Sequence, residues 1–258
     1  MSSLHDALEK ISILEVLIVL LAFLGINLLL DILGYHIGES WAYVGLIFYF
    51  IYRLRFFGDE FKYDFNHIFS KISFKSLFTI VLVNVFFSYG MLYISIFALD
   101  NIPGFRELVY APIFSIVGMN YLAGIAGFIS TVIISPICEE LTFRGVILNR
   151  LRYFVPTSFA IIISSILFGM LHGYGNIISA FVFGVCMCII YLKTKNVLTC
   201  ILAHFLNNLL AEIFVHLDSG NLIFTNDIFI VFFSILAIVS LYLIIVSLRQ
   251  EWKYIDKR

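Results

Sequence analysis

Runs of about twenty mostly apolar residues recur along this chain, at roughly 11–31, 40–57, 76–99, 120–138, 158–175, 176–192, 197–216 and 226–247. A helix of that length reaches across the hydrocarbon core of a bilayer. A membrane strand needs only about 9–11 residues and alternates polar with apolar. The pattern therefore predicts an all-α, polytopic membrane protein with eight transmembrane helices. Composition agrees: 62% of residues are hydrophobic and 13% charged, against about 45–50% and about 25% in soluble proteins. No polar stretch is long enough for a separate soluble domain, so residues 1–258 read as a single transmembrane domain. There is no basic stripe for nucleic acid, and a net charge of −1 names no partner.

Loop charge predicts orientation, because Lys and Arg collect on the cytoplasmic side. Arg53, Arg55, Lys62, Lys71 and Lys75 follow the second run, Arg144, Arg150 and Arg152 the fourth, and Lys193 and Lys195 the sixth. The tail adds Arg249, Lys253, Lys257 and Arg258, while the intervening loops carry only Arg106. Eight spans with both termini cytoplasmic satisfy this alternation. Met1–Lys10 holds Asp6, Glu9 and one lysine, unlike a basic signal region, so the first run is expected to stay in the mature protein. The 100–119 loop is placed at the outer surface. Phe61, Phe65, Ile68, Phe69 and Ile72 recur at helical intervals, which fits either an interfacial amphipathic helix over 61–76 or an ordinary helical loop. Cys138, Cys186, Cys188 and Cys200 lie in or beside apolar runs and read as packing residues without a disulfide framework.

Ionisable groups at membrane depth are costly and mark function by default. Glu139 and Glu140 close the fourth run, and Glu140 and Arg144 are i,i+4 neighbours on a helix. Alone, that pair also reads as a helix-end ion pair. Glu139 is rotated about 100° from Glu140 and left free for another task. His172 follows Phe168-Gly-Met-Leu, and Gly169 and Gly173 suit close helix approach. His204, Asn208, Glu212 and His216 form one polar edge on an otherwise apolar helix. That edge belongs against a protein interior or a wet cavity.

Together Glu139, His172 and His204 read as a possible metal set, holding a divalent ion, zinc by preference, with an open position for water. Alternatively Glu139 acts directly as general base, with the histidines and Asn208 steadying the oxyanion. Either route ends in attack of water on an amide. The His-Glu-x-x-His pattern of soluble metalloproteases is absent.

Glu139-Glu140-Leu-Thr-Phe-Arg144, Phe168-Gly-Met-Leu-His172 and His204-Phe-Leu-Asn-Asn208, in this order, resemble the CAAX protease and bacteriocin-processing (CPBP) family of intramembrane metalloproteases. The resemblance centres on 139–208, within a core of about 120–216. It implies eight helices around an intramembrane polar cavity, with Glu139 activating water and His172 and His204 catalytic or metal-binding. It makes Glu140, Arg144, Asn208 and Phe168 part of the same site. Relatives trim prenylated proteins, process peptides or protect against bacteriocins. The composition, rich in Ile and Phe, looks bacterial, so a cell-membrane enzyme acting on a peptide or small membrane-associated protein is expected. The alternative is a non-hydrolytic immunity or peptide-binding protein of the same fold. A transporter would call for inverted repeats, and none is evident.

One geometric tension remains in this reading. At about 1.5 Å per residue, Glu139 is level with His172 only if its helix runs on to about Leu151. His204 sits nearer the inner end of its own helix, which places the site in the inner-to-middle membrane.

Overall fold

The computed structural model describes residues 3–35, 40–55, 58–103, 125–173, 175–217 and 227–255, and among these no strand occurs. Ten helices follow one another: α1 (Leu4–Leu8), α2 (Ile13–Ile32), α3 (Ser40–Leu54), α4 (Asp59–Asn66), α5 (Phe74–Asn101), α6 (125–151), α7 (Thr157–Met170), α8 (Ile177–Thr194), α9 (Val197–Leu217) and α10 (Asp227–Glu251). Their surface is apolar, unlike that of a soluble fold, and polar groups are buried within the hydrophobic core. Glu140, Arg144, Asn149, Ser164, Thr199 and His204 are buried, while Leu14, Leu21, Leu28, Ile235 and Ile238 are exposed. Polar groups inside and large aliphatics outside suit a lipid surround. This is a multi-pass membrane protein; among the described residues five helices are long and apolar enough to cross a bilayer: Ile13–Ile32, Phe74–Ser95, Ile177–Thr194, Val197–Leu217 and Val231–Glu251. The central one is α8, 67% buried, whereas α2 at 11% is peripheral.

Local chemistry explains the boundaries. Ser12 starts α2 through a capping box with Glu15, accepting from the Glu15 N–H at 3.1 Å, which satisfies N–H groups a helix start leaves open. Lys195, at φ 56°, ends α8 in the left-handed region. Asn196 then opens α9 by accepting the Leu198 N–H at 2.9 Å. Gly90 lets α5 meet α10 so closely that an added Cβ would fall 2.3 Å from that of Ala237.

Two expectations change. A helix over 61–76 is not formed; α4 stops at Asn66, where the His67 ring bonds the Tyr63 carbonyl at 2.6 Å, and Ser73 caps the next helix through the Ser76 N–H. The fifth run, expected over 158–175, becomes a helix of only 14 residues. At about 21 Å it is too short for a hydrocarbon core of about 30 Å. The expected outer loop at 100–119 lies mostly outside the described residues.

The N-terminal segment, which composition left without a role, docks against α6. Leu4, Leu8 and Ile11 are buried, and Leu8 fills the space a side chain at Gly145 would need. Asn149 donates to the Tyr191 hydroxyl at 2.9 Å, which in turn meets the His5 Nδ1 at 2.7 Å. Arg150 donates to the Ile11 carbonyl, and Lys193 pairs with Glu251 at 2.6 Å. The N-terminus, the end of α6, the α8–α9 turn and the end of α10 thus share one end of the bundle.

Asp64 secures this end by accepting the Leu4 N–H at 3.0 Å, and burial pushes its carboxyl up to about 6. A raised folded pKa means that the folded state binds the extra proton, so this contribution is complete below about pH 4 and is lost as pH rises through 6. Asp64→Asn keeps an acceptor for Leu4 and cannot ionise. The expected result is a melting temperature above wild type at pH 8 and equal to it at pH 4, read by a thermal-shift assay in detergent at the two pH values.

Candidate active site

The helix carrying the acidic pair is irregular around it. Wide, five-residue turns occupy Ser130–Ile134 and Leu141–Leu148, and between them Ser135–Glu140 is ordinary α-helix. Such π-type turns often occur at functional sites. The helix continues through Asn149–Leu151, as the depth argument required. Glu139 therefore stands somewhat less than about 18 Å from that end, since wide turns rise less per residue than an α-helix, and α7, starting alongside it, is about 21 Å long. The short α7 thus delivers His172, two residues past its last turn, near the level of Glu139. The hairpin after it is closed by Gly175, at φ +92°, against Leu92 of α5.

Glu140 and Arg144 are both fully buried. The Glu140 Oε1 accepts from Arg144 Nη1 at 3.0 Å and from His204 Nδ1 at 2.7 Å. A carboxylate only accepts, so the Nδ1 of His204 carries the hydrogen and its Nε2 is turned the other way. There it faces the Glu139 Oε2 at 3.9 Å, too long for a direct hydrogen bond and suited to one bridging water. That Oε2 has no hydrogen-bond partner, while the other oxygen accepts from the Ser135 hydroxyl.

Phe168 is the hub of the site. Its ring lies 4.4 Å beneath the Arg144 guanidinium and meets the rings of His172 at 4.7 Å and His204 at 5.9 Å. Arg144 also reaches the Gly184 carbonyl at 3.4 Å, and Phe183 packs edge-on against His204 at 4.9 Å. The His172 Nδ1 donates to the Phe168 carbonyl at 2.9 Å, and Glu139, His204 and Arg144 all lie within electrostatic reach of its ring. Glu139, Glu140, Arg144, Phe168 and His204 are thus brought into one cluster with His172 at its margin.

Asn208 lies one turn beyond His204 and donates to the Thr131 carbonyl at 2.8 Å, so one of its amide hydrogens is spent on α6. Glu212 is half-buried and His216 exposed; the polar edge fades towards the end of α9. Ser135, Phe183 and Gly184 were not singled out from the sequence. Only Ser135 carried a signal there, standing four residues before Glu139 on the same helical face.

Both imidazoles fix Nδ1 on an acceptor and leave Nε2 available, the usual preparation of a metal-ligating histidine. Yet among the described residues no three His, Cys, Asp or Glu side chains stand close enough to hold one ion. Glu139 and His204 meet on the seam between α6 and α9, whereas His172 is anchored to the end of α7. The residues as placed do not fit a three-ligand cage.

Residues 121–210 match the family described as type II CAAX prenyl endopeptidase Rce1-like, and these residues form a domain of that family. No curated protein and no solved structure matches the chain.

Proposed function

We infer that this chain, through its Rce1-like CAAX prenyl endopeptidase domain over residues 121–210, is an intramembrane peptidase in which Glu139 is the general base. The observation that carries the assignment of roles is the unpartnered Glu139 Oε2 facing His204 Nε2 at 3.9 Å. A water between them gives one hydrogen to Glu139 as its oxygen attacks the scissile carbonyl. His204, steered by Glu140, orients that water by accepting its second hydrogen at Nε2, and His172, its Nδ1–H held by the Phe168 carbonyl, offers its Nε2 as an acceptor at the edge of the site. The proton held by Glu139 passes to the departing amine as the C–N bond breaks. Glu140, Arg144 and Phe168 hold the frame and do not touch the substrate.

The substrate is a peptide or small membrane-associated protein reached within the bilayer. All eight apolar helical regions lie in the cell membrane, with both termini at the cytoplasmic face. The experiment is a comparison of peptides from membranes with and without the chain. New termini that persist after exhaustive chelation support hydrolysis by Glu139. Termini that vanish on chelation and return with zinc replace it with the metal route through Glu139, His172 and His204. Membranes without new termini, in cells the chain still protects from a bacteriocin, identify a peptide-binding immunity protein.

A further inference from the structure

We propose that Ser135 is a positioning residue for Glu139, fixing the rotation of its carboxylate so that one oxygen is turned to the water; the proposal rests on the hydrolytic reading above. A glutamate carboxylate can rotate about its last bond and turn its oxygens away from the water. Here the Ser135 hydroxyl donates to Oε1, so rotation breaks a hydrogen bond in a buried setting, where bonds to charged groups are the stronger ones. Oε2 is left without a partner and aimed across the gap to His204. Ser135 touches neither histidine nor any group assigned to the substrate, so it acts through Glu139 alone.

The backbone supports this role from below. The Ser135 N–H bonds to the Ser130 carbonyl, five residues back. In that register the next donor would serve the Thr131 carbonyl, but it belongs to Pro136, which has no N–H. Asn208 supplies the missing donor at 2.8 Å. A carbonyl freed by proline at membrane depth is thereby satisfied, and the turn beneath Ser135 is tied to the helix that carries His204. The hydroxyl, the base and the imidazole are held in one frame, and small displacements there are expensive in rate.

The test uses the full chain in proteoliposomes with a pool of internally quenched peptides of randomised centre. Ser135→Ala and Ser135→Val are expected to lower kcat about tenfold with the apparent KM unchanged. Ser135→Thr, which matches valine in shape and keeps the hydroxyl, should return kcat to within about twofold of wild type. A merely structural serine predicts the opposite, with valine and threonine behaving alike, and that result overturns the proposal. Unchanged kcat in Ser135→Ala also overturns it while leaving the hydrolytic reading intact, provided Glu139→Ala is inactive. If Glu139→Ala cleaves as well as wild type, or wild type cleaves neither the pool nor any membrane peptide, the hydrolytic reading falls and takes this role with it.

Discussion

Glutamine in place of Glu139 is expected to slow peptide hydrolysis about a thousandfold, the middle of the range for loss of a positioned general base. The fold should survive. Glutamine has nearly the same volume, its carbonyl oxygen still accepts from Ser135, and the remaining side-chain group still faces His204 across the same gap. What disappears is the ability to take a proton from water. Measured on proteoliposomes, kcat should fall steeply while the melting temperature stays within about 2 °C of wild type. A variant keeping more than a tenth of the wild-type rate would remove Glu139 from the chemistry and leave the His204–Glu140 pair as the candidate base.

Much of this site could be read from residue types because ionisable groups inside apolar runs have few explanations. Glu140 and Arg144 pair because i,i+4 spacing puts them on one face. That relation survives the wide turn starting at Leu141, with 3.0 Å between the charged atoms. His204 could be expected in the interior because its neighbours at 208 and 212 continue a polar edge. Sequence spacing could not show that Glu140 would hold both Arg144 and His204, since the helices involved are sixty residues apart in the chain. The i,i+4 spacing did set Glu140 with Arg144 and leave Glu139 free. The two differ in what their oxygens face: Glu140 holds Arg144 and His204 through one oxygen, while the Glu139 Oε2 lies opposite the His204 Nε2 at 3.9 Å.

The fold was legible in its helical character and less so in its lengths. Hydropathy sees the run 158–175 as one span because Leu171, Tyr174 and their neighbours remain apolar. The backbone instead turns after Met170, where Gly173 and Gly175 make reversal cheap. That early stop resolves the depth mismatch the spacing posed for His172. Similarly, Phe61 to Ile72 keep a helical period, but the His67 ring takes the Tyr63 carbonyl just past Asn66 and Ser73 caps a new helix. The N-terminal helix left no periodic signal in five residues; its place depends on Leu8 meeting Gly145, a contact across 137 positions that no local pattern encodes.

Removing the Arg144 guanidinium should have the largest effect on stability. Arg144 is 0% exposed, bonds Glu140 and the Gly184 carbonyl, and stacks on Phe168. Arg144→Met preserves most of the volume but leaves the Glu140 carboxylate buried with His204 as its only partner. Breaking one side of a buried pair costs about 3–5 kcal/mol because the remaining charge is uncompensated. The expected fall in melting temperature in detergent is about 10 °C, with hydrolysis lost. The informative companion is Glu140→Gln with Arg144→Met, which removes both charges. Replacing a buried pair by neutral groups of similar size is often close to neutral for stability, so most of the melting temperature should return. Activity should not. With the carboxylate charge gone, the His204 Nδ1–H keeps only the weaker neutral acceptor of the glutamine carbonyl, so its Nε2 is aimed at Glu139 less firmly and one of the water's two anchors is loosened. A double variant regaining both stability and rate would make the Glu140–Arg144 pair a structural strut only. A single variant that melts within about 2 °C of wild type would mean that Arg144 does not compensate the Glu140 charge.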